Sequence, residues 1–306
     1  MPLPSASPRI YRWLRVLLGI VVALGVVLAL YRIAQRWNGR DVHVRWFPLV
    51  LSVITLVVAN FFQALGWKYL LERMAGRAIA LRPLMTVFMS GQLARYTPGK
   101  VGLPMVRIAG ATKLGLSAHQ IAASVGLEVA AWIGVGSLVS CGSLLCNMSA
   151  GSAIAGVSRT WIWLAIFGIG SCLSVAALVD QRRFPSWVLR LLRTEGVGPL
   201  ISIPMLAMQL LAWSGWWVLG ILIPLAVGST LEVAAGQAVI FLVAPIIGFL
   251  ALVAPGGLGV RETIISYALA PQIGASAALA AAVLARAAAL ASELAGWLIA
   301  VIWERH

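Results

Sequence analysis

The sequence predicts an all-helical protein that crosses a membrane several times. Three observations predict this class: 61% of the 306 residues are hydrophobic, 10% are charged, and several apolar runs reach the roughly 20 residues that cross a bilayer as a helix. Helices are expected because backbone groups in hydrocarbon must find hydrogen-bond partners within their own segment. We therefore expect a single membrane domain, residues 1–306, with about seven or eight transmembrane helices and two broken or re-entrant segments.

The apolar runs give the order of the elements. Seven of them are predicted to span the membrane: 16–34, 47–67, 121–145, 161–179, 200–227, 233–254 and 277–303. An eighth run, 84–96, is shorter and more polar, and segments 99–113 and 256–272 are predicted to be re-entrant half-helices. The longest polar connections, 68–83 and 181–199, have the length of loops, so no soluble catalytic module is expected.

Charge predicts the topology. The net charge of +14 is distributed over the connections between apolar runs, which is typical of cytoplasmic loops rather than of nucleic-acid binding. The densest group lies in 182–193 and should be cytoplasmic, whereas the uncharged segment 147–158 should face outward. Arg36, Arg40 and Arg45 also favour the inside, so the rule cannot be satisfied everywhere. We expect a multi-pass protein of the cell inner membrane with a cytoplasmic, retained amino-terminal anchor.

Two polar interruptions share one pattern. Residues 95–102 (RYTPGKVG) and 254–262 (APGGLGVRE) both contain Pro-Gly-x-x-Gly, set 157 residues apart, so that Pro98 aligns with Pro255. Such a register predicts a duplicated unit with approximate halves 15–145 and 160–303, a frequent transporter plan. Inverted and parallel arrangements of the halves both stay open.

The interruptions have a physical logic. Proline ends the preceding helix, glycine accepts unusual backbone angles, and the next helical start leaves free amides that favour an anion. The first copy carries more basic residues and is the better phosphate-binding candidate; the alternative is a pair of interfacial turns whose cations reach the headgroups. The predicted substrate-binding residues are Arg95, Pro98, Gly99, Lys100, Gly102, Arg107, Pro255, Gly256, Gly257, Gly259, Arg261 and Glu262.

Three charges lie inside predicted spans. Glu128, Arg286 and Glu293 would each cost about 2.5–3.5 kcal/mol at mid-membrane unless paired or hydrated. Arg286 and Glu293 are seven residues apart and share a helix face. The hypothesis is that Glu128 or Glu293 neutralises Arg286 beside a polar cavity; the alternative is a structural ion pair without substrate contact.

Other chemistry has little support in the sequence. The three cysteines and three histidines show no metal-ligand spacing, and the chain has no nucleophile motif or nucleotide-binding loop. We therefore expect no enzymatic activity, no cofactor, no metal and no nucleic-acid partner.

A family resemblance follows from these motifs. RYTPGKVG, then Arg107, Gly115 and Glu128, and later PGGLGVRE, together resemble the lysylphosphatidylglycerol synthase transmembrane-region family of flippase-like membrane proteins, over about residues 15–303. The family often has an arginine directly after the acidic residue of the first half. Val129 stands there, so Arg286 is a candidate to supply that cation. Full-length synthases add a soluble aminoacyltransferase domain, which this chain, ending at His306, is expected to lack.

The resemblance implies that a lipid is moved between leaflets. We expect a carrier for an anionic or lipid-linked substrate (phospholipid, polyprenyl phosphate or glycolipid) that works downhill or with ion coupling, with Glu128 and Glu293 as candidate proton-coupling groups. One alternative is a scaffold for a cell-envelope enzyme, with the tryptophans of 213–217 as the partner face. Another is a membrane transferase with Glu262 or Glu128 as base. The alanine-rich stretch 277–295 permits a homodimer or internal packing.

Overall fold

The computed structural model describes residues 43–97, 101–149, 168, 201–251 and 255–305, and within these ranges the secondary structure is helical. The predicted spans 16–34 and 161–179 lie outside the described residues. In chain order, the helices are α1 (Trp46–Ala75), α2 (Leu81–Ala94), α3 (Gly102–Ala111), α4 (Ala118–Ser149), α5 (Ile203–Ala226), α6 (Leu231–Leu250), α7 (Val260–Ile273) and α8 (Ala275–Arg305).

Five of these helices, α1, α4, α5, α6 and α8, are long and apolar enough to cross a membrane. They coincide with the five predicted spans that fall in the described ranges, so the prediction of a polytopic helical membrane protein is confirmed. Helix α6 ends at Leu250, four residues before the predicted end, because the second interruption begins there.

The doubtful run 84–96 does not form a span. It belongs to α2, which has 14 residues and ends at Ala94. At 1.5 Å per residue this helix is about 21 Å long, shorter than the roughly 30 Å hydrocarbon core. Helices α3, with 10 residues, and α7, with 14, are the short helices predicted after the two interruptions.

The helix ends have local causes. Helix α1 stops at Gly76, whose φ of 64° is left-handed and whose amide donates to the Glu72 carbonyl. Helices α5 and α6 are capped by the residues that precede them, Ser202 and Thr230, whose side chains accept hydrogen bonds from the amides of Met205 and Val233.

Helix boundaries keep the 157-residue register. Helices α1 and α5 begin at 46 and 203, and α4 and α8 begin at 118 and 275. Each pair is separated by the distance that also separates the two Pro-Gly motifs. This agreement supports a duplicated unit, while the orientation of the halves stays a prediction.

Helix α8 links the helices around both breaks. It packs against α1, α2, α5 and α7, and its buried face is built from alanines such as Ala278, Ala281 and Ala288. Small side chains let neighbouring helix backbones approach closely. The same helix carries Arg286 and Glu293, so it brings both charges to the interruptions on either side.

Candidate functional site between the helix breaks

The two interruptions of the helices meet. The first break is the segment between α2 and α3, and the second is the segment between α6 and α7. The ring of Tyr96, in the first break, lies against Gly256, in the second, and leaves no room there for a Cβ atom. Arg286 of α8 joins them: its Nη1 donates to the Gly256 carbonyl at 3.0 Å, and its guanidinium carbon lies 5.0 Å from the centre of the Tyr96 ring.

The first break is tied to α8 by an ion pair. Arg95 Nη2 lies 2.7 Å from Glu293 Oε1, and both side chains are largely buried. Thr97 closes the turn by donating to the Ala94 carbonyl at 2.9 Å and accepting from the Gly102 amide at 3.0 Å. A side chain on Gly102 would collide with Thr97 and Ala94, which explains the glycine. Pro98, Gly99 and Lys100 lie outside the described residues.

The second break is closed by its own carboxylate. A short 3-10 turn, Pro255–Gly257, precedes α7, and Gly256, Gly257 and Gly259 have φ values of 57°, 73° and 84°. These left-handed angles favour glycine. Glu262 Oε2 accepts from the Gly259 amide at 2.8 Å. The expectation of an open anion site at this helix start is therefore wrong for the Gly259 amide, because Glu262 already occupies it.

Arg107 forms a closed pair with Glu128. The Arg107 side chain is 0% exposed, and its Nη1 lies 3.0 Å from Glu128 Oε2. Its guanidinium carbon is 4.7 Å from the Trp67 ring centre and 4.2 Å from that of Phe88. Gln63 donates to the other Glu128 oxygen at 2.9 Å. Arg107, predicted as a substrate ligand, is thus enclosed by protein on every side and acts as the counterion of Glu128.

The hypothesis that Glu128 or Glu293 neutralises Arg286 is wrong. Glu128 pairs with Arg107 and Glu293 with Arg95, whereas the carboxylate nearest Arg286 is that of Glu262, 3.7 Å from its Nε. Two turns of α8 separate Arg286 from Glu293, so Arg286 reaches the second break and Glu293 reaches the first. The cation expected at Val129 is supplied by Arg107 of the same half.

Arg261 is the least compensated buried charge in the described part of the chain. It is 7% exposed, its Cγ packs where a side chain on Gly248 would stand, and its guanidinium carbon lies 5.9 Å from the Trp216 ring centre. No described carboxylate lies within 4.0 Å of it, and its one hydrogen bond, to the Pro245 carbonyl, is long at 3.4 Å. Arg261 Nε and the Nε and Nη2 atoms of Arg286 lack a hydrogen-bond partner. Arg107 Nε and Nη2 lack one too, so Arg261 differs from Arg107 in having no carboxylate beside it.

The side chains of Arg261 and Arg286 line a common cavity. It lies between α5, α6, α7 and α8, is lined by Trp216, Pro245, Arg261, Glu262 and Arg286, and has room for about one water molecule. Once the Arg107 pair is set aside, three arginines (95, 261 and 286) face two carboxylates (262 and 293) around the breaks. The described residues therefore leave one buried positive charge in excess.

Sequence reasoning missed three contributors to this region. Gln63 and Gln92 are amides inside apolar helices, and Gln92 Nε2 donates to Gln63 Oε1 at 3.2 Å, which extends the polar network from Glu128 towards Arg95. The signal available in the sequence was a glutamine inside an otherwise apolar helix, which indicates a polar partner within the protein. Tyr96 stands inside the first motif, and no feature of the sequence indicated that it would reach the second.

The sequence matches the lysylphosphatidylglycerol synthase TM region over residues 13–295, and this span contains all the residues of the site. The chain belongs to that family. It is accordingly a multi-pass membrane protein of a family associated with the handling of envelope lipids. No curated protein matches the sequence.

Proposed function

We propose that the protein moves a phosphate-bearing lipid between the leaflets of the cell inner membrane and that it does so as a carrier, without chemical change to the lipid. One observation supports this most strongly: a buried, uncompensated guanidinium group lies where two broken helices meet. A buried cation without a counterion is costly, and in a membrane such groups usually mark a substrate path. A phosphate group is the anion that best matches several converging arginines.

The anion would be held mainly by the second break. Arg261 and Arg286 contribute N–H groups that now lack acceptors. Arg95 adds a third cation if a phosphate displaces the Glu293 carboxylate. The acyl or prenyl tail would remain in the bilayer beside the helices. Net movement also requires that the lipid contact two conformations differently.

The scaffold alternative keeps one exposed tryptophan of the stretch 213–217, Trp217, which is 39% exposed, but not Trp213. Trp213, which was predicted to belong to a partner face, is fully buried, stacks on Trp132 with ring centres 4.7 Å apart, and donates to the Trp132 carbonyl at 2.9 Å. The transferase alternative is also weakened, because Glu128 is bound to Arg107 and Gln63, and Glu262 caps α7. Both oxygens of Glu128 are engaged, whereas Glu262 keeps one oxygen, Oε1, without a hydrogen-bond partner.

The proposal is tested in vesicles that contain the purified full chain. Fluorescent phosphatidylglycerol is placed in both leaflets, and the fraction that an impermeant quencher reaches is followed with time. A carrier makes all of the lipid accessible, whereas protein-free vesicles leave about half protected. Fluorescent diacylglycerol, which lacks the phosphate, is unsuitable as a control because it crosses unaided; a neutral glycolipid serves instead.

The outcomes separate the alternatives. A carrier accelerates loss of the phosphatidylglycerol signal more than that of the neutral glycolipid, and the lipid mass stays unchanged. Protection equal to that in protein-free vesicles would support the scaffold. A changed lipid mass would support the transferase.

A further inference from the structure

The cavity that Arg261 and Arg286 line has an excess of positive charge of its own. Its charged lining residues in the described part of the chain are Arg261, Glu262 and Arg286, and the rest of its lining is apolar. Two positive charges and one negative charge leave an excess of one. A buried charge in apolar surroundings is costly unless a counterion reaches it.

Three nitrogen atoms of this lining carry N–H groups without an acceptor. They are Nε of Arg261 and the Nε and Nη2 atoms of Arg286, and both residues are 7% exposed. The Glu262 carboxylate does not accept from them: its Oε2 accepts from the Gly259 amide, and its Oε1 lies 3.7 Å from Arg286 Nε, beyond hydrogen-bond distance. An anion that enters the cavity would therefore gain hydrogen bonds that the protein does not make by itself.

The size of the cavity restricts what can enter. Its volume is about 20 Å³, and roughly 10–15 Å³ is the least that holds one water molecule. A halide ion is only slightly larger than a water molecule, whereas a phosphate, sulfate or carboxylate group consists of several heavy atoms. Water also fits by size, but it brings no charge to offset the excess.

The lining favours a monatomic anion that gives up its water easily. Trp216, Phe241 and Ile265 contribute apolar surface, so an ion must shed water to enter. A monatomic anion accepts hydrogen bonds from any direction, which suits donors that come from two helices, Arg261 of α7 and Arg286 of α8. A carboxylate, by contrast, is bound best by two parallel N–H groups of a single guanidinium.

We propose that a halide ion, with chloride as the representative, binds in this cavity between Arg261 and Arg286. It accepts hydrogen bonds from both guanidinium groups, and its single charge offsets the excess, as the Glu128 carboxylate does for Arg107 in the first half. This binding does not depend on lipid transport. A consequence for transport rests on the proposed function: a lipid phosphate that uses the same two arginines competes with the halide, so the halide leaves as the headgroup enters.

The full chain, purified in mild detergent and dialysed into sodium gluconate, is titrated with sodium chloride at constant ionic strength. Calorimetry should record one saturable site per chain. The melting temperature should rise by roughly 3–6 °C when chloride is in tenfold excess over its dissociation constant, because a ligand of the folded state stabilises that state. Arg261→Met should abolish both responses and, in gluconate, should be no less stable than the unaltered protein. Arg107→Met/Glu128→Met, a charge-neutral change outside the cavity lining, should keep both responses.

A second variant tests the cavity without changing its charge. Ala285→Val adds two methyl groups to the lining, so it should also remove the chloride response. If the unaltered protein shows no chloride response by either method, the cavity holds water alone; if the melting temperature rises equally in Arg261→Met, chloride acts on the basic surface in general. Either result would overturn the proposal. Chloride binding by a protein that moves no lipid would support this proposal and remove the proposed function, whereas lipid movement without a chloride response would do the reverse.

Discussion

The two helix pairs that flank the breaks, α2–α3 and α6–α7, share one packing arrangement but differ in how the buried arginine is compensated. In each pair an arginine of the second helix packs against a glycine of the first: Arg107 on Gly91 and Arg261 on Gly248, and these glycines are 157 residues apart. Arg107 has Glu128 at 3.0 Å, whereas no described carboxylate lies within 4.0 Å of Arg261. A similar scaffold holds a neutralised pair in one half and an unsatisfied charge in the other.

The difference lies in the long helix that follows each pair. Helix α4 provides Glu128, while the position 157 residues later in α8 is Ala285, followed by a further cation, Arg286. The acid of the first half thus corresponds to an alanine in the second, and the residue after that alanine adds a cation. We infer that the first half stabilises the fold and the second half offers the site for an anion. This inference differs from the expectation that the first motif, with more basic residues in its sequence, is the better phosphate site, and Lys100 of that motif lies outside the described residues.

The largest effect is expected for Glu128→Ala. This change leaves Arg107 buried without a counterion, and breaking such a pair costs about 3–5 kcal/mol of unfolding free energy. Chemical unfolding in mixed micelles measures it. The double variant Arg107→Met/Glu128→Met should recover most of the loss, since it removes both charges at similar volume. A single variant as stable as the unaltered protein would contradict the assignment.

Adding a methyl group to each glycine sharpens the comparison. Gly91→Ala pushes into Arg107, which Trp67 and Phe88 confine, so the expected loss of stability is about 1–3 kcal/mol. Gly248→Ala should cost less because Arg261 borders a cavity into which it can shift. Thermal denaturation of the two variants in the same detergent shows which one loses more stability. A larger loss in Gly248→Ala than in Gly91→Ala would contradict the conclusion that Arg107 is confined and Arg261 can shift.

The caps of α3 and α7 should behave alike. Thr97→Val removes the acceptor for the Gly102 amide, and Glu262→Ala removes that for the Gly259 amide. Each loss should lower the unfolding free energy by about 1 kcal/mol. Unfolding titrations of the two single variants are the check, and a Glu262→Ala loss several times larger would mean that its 3.7 Å contact with Arg286 dominates.

The smallest change in stability is expected for Arg261→Met. Replacing an uncompensated buried charge by an apolar chain of similar length should leave the unfolding free energy unchanged or raise it. The same titration measures it beside Arg107→Met, which strands Glu128 and should be strongly destabilising. Equal losses in the two variants would remove the distinction between the halves.

The long spans and the sites of interruption could be predicted because apolar length and Pro-Gly pairs are local signals. Helix α1, for example, contains the predicted run 47–67, and α7 contains most of 256–272. The partners of the charges could not be predicted. A helix that is apolar on nearly every side does not reveal its rotation, and Arg95 finds Glu293 across 198 residues of chain. The hydrogen bond from the Gly259 amide to Glu262 could have been predicted, because a glutamate three residues after the residue that caps a helix commonly accepts from that residue's amide.

Lipid transport tests the central claim most directly when both halves are neutralised in parallel. The initial rate of phosphatidylglycerol movement in vesicles is measured for Arg261→Met and for Arg107→Met/Glu128→Met, each at equal protein content and verified folding. Loss of a charge-assisted contact to phosphate predicts that Arg261→Met slows movement about tenfold or more, while the double variant stays within about twofold of the unaltered rate. A slow double variant beside an unaffected Arg261→Met would contradict the account.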